Sequence, residues 1–399
     1  MTTQTQAPEQ VPARFTTTHR ALSDALKTVA LGIADRPLVK VLGGVMAETA
    51  DGALTLRGFD YETSVTVRVD GEAGPDGRSL LDLGELKNVL AAAVAGEKTA
   101  DAARTPVTVD DGVLSTPDLA VPLGTLPLED YPAFPPDVPA QVTVDGAEWF
   151  GQVARVLPAA GRDDTLPVMT YVHLRIAGGV LRLTASDRYR VTVGEVKAVE
   201  GGRAETAALV PAWLLEKMAK LLGKHTGPVV IGVDGDWATL AVGAVTVTVR
   251  CTADVSKYPD IWGLIPSDAL PLAVRMDREA LARAVRKAHA VSKAKLPKEP
   301  LVLLEFGPAG VTVSPGLRDE TAQARVRGVV VDGETLAGAD LGAPMAVDGL
   351  FLLDALGTFA GPTVTVHART PLKPYVLTDG DAVTGDGFVH MLMPMRVER

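Results

Sequence analysis

Apolar residues recur first at intervals of three and four and then at intervals of two, and this change of period repeats three times along the chain. RFTTTHRALSDALKTVALGIADRPLVKVLGGVMAE is followed by GALTLRGFDYETSVTVRV. VTVDGAEWFGQVARVLPAAGRDDTLPVMTYVHLRI is followed by GVLRLTASDRYRVTVGEV, and AVRMDREALARAVRKAHAVSKAKLPKEPLVLLEF by AGVTVSPGLRDETAQARVRG. Each pair reads as an amphipathic helix, a polar joint containing proline, and alternating strands rich in Val, Leu and Thr. A second helical pattern then appears in each: LLDLGELKNVLAAAVAG, VPAWLLEKMAKLLGKHTG and VDGLFLLDALGTFAG. All three close on Gly, which predicts left-handed C-terminal caps.

The first stretch leaves through EDYPAFPPDVPA and the second through SKYPDIWGLIPSDA, so Tyr131-Pro132 and Tyr258-Pro259 are equivalent marks one ordinary domain length apart. The predicted class is therefore α+β, with three repeated domains at 13–139, 140–266 and 267–399. Each is expected to hold two helices and flanking antiparallel sheets.

Helical phase assigns the faces. In the first helix Leu22, Leu26 and Val29 turn inward, and Arg20, Asp24 and Lys27 outward. In the second repeat Phe150, Val153 and Leu157 are expected inside, with Gln152 and Arg155 outside. The helix opening at Asp277 buries Leu281, Ala284, Val285 and Ala288; Arg283, Arg286, Lys287 and Lys293 lie opposite. WLLEKMAKLLGK sets Lys217 and Lys220 on adjacent turns.

These basic stripes matter because the chain as a whole is acidic. Its 399 residues carry a formal net charge of −10, which as an average argues against a nucleic-acid partner. A charged helix face is ordinarily just a solvated one. Its return in every repeat of an acidic protein points instead to DNA held loosely at a confined surface. The 47% hydrophobic content suits packed globular domains, with only 5% aromatic. No apolar run is long enough to suggest a signal peptide or membrane span. Cys251 is a lone cysteine, which fits a reducing cytoplasm.

Catalytic chemistry has little support. The six histidines lack metal-ligand spacing. LLGKHT departs from a phosphate-binding loop: Met218 stands where a Gly is required, and His225 replaces Ser or Thr. Asp163 and Asp164 are paired carboxylates in GRDDT, a pattern suited to a turn or cap. One feature is unusual for a chain end, which is generally polar: the last residues read HMLMPMRVER.

Three α+β repeats, basic helices and a terminal Met-Pro-Met-Arg together resemble the bacterial DNA polymerase III β subunit family, the sliding clamps. GFDYE (Gly58–Glu62), AAGRDDTLPV (Ala159–Val168), LTASDRYRV (Leu183–Val191), KYPDIWGLIP (Lys257–Pro266) and MPMR (Met393–Arg396) are similar to family signatures and fall in family order. Several lean toward clamps of high-GC Gram-positive bacteria. The resemblance implies the DNA clamp fold and a head-to-tail homodimer, two chains closing a six-domain ring around double-stranded DNA without regard to sequence. It implies a cytoplasmic processivity factor with no cofactor, no metal and no catalytic site of its own. The implied partners are the DNA polymerase III α subunit, the clamp loader and other clamp-motif proteins.

In the family a hydrophobic groove receives a linear peptide from those partners. The matching positions are Thr170, Ser186, Arg188, Tyr189, Arg190, Val191, Pro259, Leu264, Met391, Met393, Pro394, Met395 and Arg396. Methionine suits such a groove because its flexible thioether repacks around different side chains. On the DNA side Arg36 matches a basic family residue. Arg20, Arg155, Lys217, Lys220, Arg283, Arg286 and Lys287 follow from the helix faces. The chain departs from many clamps at Leu166, where they carry Arg, at Gly263, and at KAHAV (Lys287–Val291), where they carry bulky aliphatics at the dimer contact. Such drift fits an alternative: an accessory clamp paralogue that binds, or gives resistance to, a clamp-directed antibiotic.

Overall fold

The computed structural model describes residues 11–34, 36–251, 258–259, 261–266, 270–298, 300–307, 310–317, 324–330, 343–383 and 387–396. Two compact units form: Met1–Gly146 with Lys224–Cys251, and Ala147–Gly223 with Thr252–Arg399. Each takes part of the second repeat, because strands of neighbouring repeats hydrogen-bond to one another.

In the first unit, antiparallel pairs link Gly77–Asp82, Gly44–Ala50, Ala53–Phe59 and Thr63–Val69 in that spatial order. Thr63–Val69 then pairs with Val245–Arg250, in the register Val247↔Val65. The sheet continues through Trp237–Val242 and Pro228–Asp234 to Val142–Asp145. A smaller sheet runs Glu72–Ala73, Phe15–Thr18, Pro106–Asp110, Val113–Ser115, Ala120–Pro122. Helix α1 (His19–Val29) is capped by Thr18, whose hydroxyl accepts the Ala21 N–H. Asp82 caps α2 (Leu83–Ala92) in the same way at Glu85. A short turn, α3, spans Thr99–Ala102. Leu22, Leu26 and Val29 are fully buried as their spacing predicts, each burial worth about 1.5–3 kcal/mol.

The second unit is built on one antiparallel run. Thr206–Pro211, Tyr171–Ala177, Val180–Ser186 and Arg190–Gly201 come from the second repeat. Arg190–Gly201 then pairs with Phe388–Leu392, the last strand of the chain. From there the run passes through Tyr375–Thr378, Thr363–Ala368, Leu272–Asp277 and Ala324–Val330. Gly310–Pro315, Leu301–Gly307 and Met345–Asp348 complete it. Its helices are α4 (Gly146–Val156), α5 (Ala212–Leu222), α6 (Arg278–Lys295) and α7 (Gly349–Gly357). Helix α4 packs over Gly194, where a Cβ would come within 2.6 Å of Gln152 Oε1 and 3.2 Å of Val156 Cγ2. Helix α6 buries Leu281, Ala284, Val285 and Ala288 as predicted.

The expected left-handed glycine caps are corrected at all three helices. Helix α2 ends at Ala93 with a right-handed φ of −63°, and the left-handed Gly96 (φ +87°) lies three residues further on. Gly223 closes α5 with a right-handed φ of −63°, donating its N–H to Ala219. Helix α7 ends at Thr358, φ −79°, rather than at Gly361. There the Thr358 hydroxyl donates to the Ala355 carbonyl at 2.6 Å and so does a capping glycine's work.

The repeat itself is visible at atomic scale. Asp60 Oδ1 accepts the N–H groups of Glu62 and Thr63, at 3.0 and 2.7 Å, with Tyr61 at φ +74°. Asp187 Oδ1 accepts those of Tyr189 and Arg190, both at 3.0 Å, with Arg188 at φ +79°. Tyr131 and Tyr258 are equivalent too. Both are buried; the Phe59 N–H donates to the Tyr131 hydroxyl at 2.7 Å, and the Tyr258 hydroxyl donates to the Thr184 carbonyl at 3.3 Å. Burial pushes the Tyr131 phenol up to about 12.

Two histidines in the second unit are held neutral. His390 is fully buried, with Nδ1 3.4 Å from the Thr358 hydroxyl; burial, and then the charges of Arg190 and Arg155, lower its pKa to about 3. His367, 2.8 Å from the Thr378 hydroxyl, is lowered by burial to about 4, Asp381 opposing. An unfolded chain takes up these protons below about pH 6.5 while the folded one does not. Stability is therefore complete above that pH and falls as pH drops toward the folded values. Urea unfolding at pH 5 should show about 2 kcal/mol less stability per histidine than at pH 7. Replacing His390 by Gln should remove part of that slope, and an unchanged slope would contradict the assignment.

Candidate functional site

The last strand fixes where the chain end goes. Arg190 opposes Leu392, Val191 opposes Met391 and Thr192 opposes His390. Beyond the strand, the Met393 N–H donates to the Tyr189 carbonyl at 2.8 Å, and the Met395 N–H to the Ala346 carbonyl at 2.9 Å. The same Ala346 oxygen accepts the Tyr375 hydroxyl at 2.7 Å. The Met-Pro-Met tail is thus tied to the Ser186–Arg190 turn on one side and to the strand leading into α7 on the other.

Beneath it lies an apolar cluster containing Val191, Val193, Leu209, Tyr258, Ile261, Ile265 and Met391, against which Val168, Tyr171 and Met393 pack. The expected groove residues therefore divide by depth. Ser186, Val191 and Met391 are buried and form support rather than contact surface; Ser186 spends its hydroxyl on the Arg190 carbonyl (2.9 Å) and the Arg188 N–H (3.1 Å). Thr170, Met393, Pro394 and Met395 are half-buried, and Pro259, Arg188 and Arg396 are exposed. Tyr189 and Leu264 stand out at 45% and 53% exposure. Lys257 and Asp260 of the same motif lie outside the described residues.

Arg190 is the electrostatic centre. Its side chain is 10% exposed and pairs with Asp187 at 2.9 Å and Asp354 at 2.6 Å. Its guanidinium lies 4.5 Å from the Phe351 ring centroid, and Phe351 meets the Tyr189 ring at 6.0 Å. Arg190 thus holds the turn to α7, with its charge compensated on both sides. Sequence reasoning missed Phe351 and Asp354: on α7 they read as one more helical pattern, and nothing local pairs them with Arg190. Arg188, next to Asp187, sits at a left-handed φ of +79°, which costs a non-glycine residue on the order of 1 kcal/mol.

The basic set is divided as well. Arg283, Arg286 and Lys287 are exposed on α6; Arg283 has a loose partner in Glu279 at 3.9 Å. Lys217 and Lys220 are exposed on α5, with Lys220 bonded to Glu216 at 2.8 Å. In the first unit Arg20 and Arg36 are exposed, Arg20 lying 3.7 Å from Asp24. Arg155 contradicts its predicted place. It pairs with Asp379 and stacks on Phe388, 3.8 Å from the ring centroid. A helical wheel sees only α4, so it cannot register a carboxylate and an aromatic ring supplied by the end of the chain.

Among the described residues, no three His, Cys, Asp or Glu side chains are gathered to hold a metal. No described helix is long and apolar enough to cross a membrane.

Comparison with known proteins gives this geometry a family. Residues 13–105 match the N-terminal domain of the DNA polymerase III β subunit, and residues 144–260 its central domain. The β sliding clamp of Streptomyces coelicolor is 32% identical, the match covering 94% of this chain and 97% of the relative. The chain belongs to the bacterial β sliding clamp family. A β sliding clamp homolog, GriR, from Streptomyces muensis is 30% identical, with 97% and 100% of the two chains covered. In fold, the chain is similar to the Pseudomonas aeruginosa sliding clamp in its griselimycin-bound crystal structure: TM-score 0.81, 21% identity, 96% and 100% coverage. Two of the family signatures can be placed within this fold. LTASDRYRV forms the Asp187 turn, and MPMR forms the tail that hydrogen-bonds to it.

Proposed function

We propose that this sliding clamp acts as a DNA polymerase processivity factor: a head-to-tail homodimer encircles duplex DNA and tethers polymerase, clamp loader and repair proteins through the groove at the chain end. The observation that carries the reading is the tie between Met393 and Tyr189, which sets a half-buried methionine against the apolar cluster beside an exposed tyrosine. A short peptide with apolar anchors suits such a surface, and anchors of that kind supply most of the affinity. The domains proposed are 13–139, 140–266 and 267–399, in keeping with the two matched family domains. Duplex DNA is expected to meet Arg20, Arg36, Lys217, Lys220, Arg283, Arg286 and Lys287, mainly through phosphates. Arg155 is left out of this set because it turns away from the surface onto Asp379 and the Phe388 ring, whereas the others are exposed. The role calls for no cofactor and no catalysis by the chain itself, and its place is the cytoplasm, where replication occurs.

A second reading is supported by the full-length similarity to the GriR homolog: an accessory paralogue whose groove accepts a clamp-directed antibiotic. Leu166, Gly263 and KAHAV, the positions that depart from many clamps, fit such a role. Tight antibiotic binding by a chain that is not retained on DNA would favour it.

Met393→Ala combined with Met395→Ala should weaken a clamp-motif peptide by about tenfold or more in titration calorimetry, with the melting temperature little changed. Equal peptide affinity would remove the groove assignment. Arg283→Glu with Arg286→Glu should reduce duplex affinity and lower the slope of log K against log salt by about 2. An unaltered slope would exclude that face of α6 from the DNA contact.

A further inference from the structure

Helix α5 carries an exposed indole that belongs neither to the groove nor to a core. Trp213 is 45% exposed, and two turns on, Leu221 is 42% exposed. Lys217 lies between them, its Nζ 5.1 Å from the Trp213 ring centroid. The three residues recur at intervals of four and so share one helix face. Leu214, Leu215 and Met218 occupy the buried face instead.

The charges around this face are unbalanced. Glu216 is the carboxylate on α5, and it is already taken: its hydrogen bond and charge interaction with Lys220, joined by the charge of Arg162, hold it below the usual carboxylate range. Among the described residues Lys217 pairs with no carboxylate, and its ammonium lies over the Trp213 ring. An aromatic face beside an uncompensated cation matches the two halves of a nucleotide, a flat base and a phosphate.

We propose that the Trp213–Lys217–Leu221 face of α5 is a binding site for single-stranded DNA, with Trp213 stacking on an unpaired base and Lys217 taking the adjacent phosphate. In duplex DNA both faces of each base are covered by its neighbours, so an indole can enter only by kinking the helix. A single strand offers a free face without that cost. As the base arrives, the Lys217 ammonium leaves the ring for the phosphate, and the cation–π contact is exchanged for stacking and charge pairing. Leu221 extends the apolar surface for the neighbouring sugar or base. The site shares Lys217 with the proposed duplex contact, adds stacking that a duplex cannot offer, and does not depend on the peptide groove.

The test is a titration of the full chain at low salt with a short oligothymidine and, separately, with a blunt duplex of the same length, followed by tryptophan fluorescence. The single strand should quench, and the duplex should quench far less. Trp213→Phe should lose most of the quench while still binding. Trp213→Ala should weaken the oligothymidine by about tenfold with an unchanged melting curve. Lys217→Ala should lower the salt slope and keep the quench in wild-type Trp213. A saturating clamp-motif peptide should leave the titration unaltered, which separates this site from the groove. Equal quenching by both DNAs, quenching that survives Trp213→Phe, or no single-strand binding would each overturn the proposal.

Discussion

The second unit depends on one strand pairing. Phe388–Leu392 closes against Arg190–Gly201 from almost two hundred residues earlier, and every later feature of the site follows from that register. Because side chains alternate across a strand, a slip of one residue would move Met391 off the apolar floor and bring buried His390 toward it. The tail hydrogen bonds to Tyr189 and Ala346 would be lost with it. An apolar chain end that would otherwise fray is therefore fixed by backbone hydrogen bonds, while Met393 and Met395 remain only half-buried and free to repack.

Arg190 performs a related task with charge. A guanidinium that is 10% exposed would be expensive alone, yet Asp187 and Asp354 compensate it and Phe351 covers its face. The turn it stabilises is the one that places Arg188 and Tyr189 at the surface. In the first repeat the same aspartate-capped turn at Asp60 has Thr63 where the second has Arg190, and it meets an arginine only at its edge, where the Arg250 N–H donates to the Glu62 carbonyl at 2.7 Å and the two side chains pair loosely at 3.7 Å. One local motif thus serves as a plain turn in one repeat and as a wall of the candidate site in another.

Local patterns in the sequence were the legible ones. The buried faces of α1 and α6, the three changes of period, and the equivalence of Tyr131 and Tyr258 all follow from side chains a few positions apart. What could not be read was non-local. Pairing of Thr63–Val69 with Val245–Arg250, the inward turn of Arg155 onto Asp379 and Phe388, and the meeting of Arg190 with Asp354 join residues that no helical or strand period relates. The cap at Thr358 was missed for a different reason: a threonine hydroxyl satisfied the helix end where glycine had been expected. Of the candidate groove, the residues were identifiable from MPMR and LTASDRYRV, but their division into buried support and open surface required the fold.

An acidic chain and a DNA-holding role are compatible if retention is topological, since only the residues that meet phosphate then need to be basic. That condition depends on two chains closing, and the decisive measurement is solution mass by light scattering across a micromolar dilution series. The account predicts a mass near twice 41.7 kDa that persists on dilution. A monomer at every concentration would contradict it, because the proposed ring is closed by two chains.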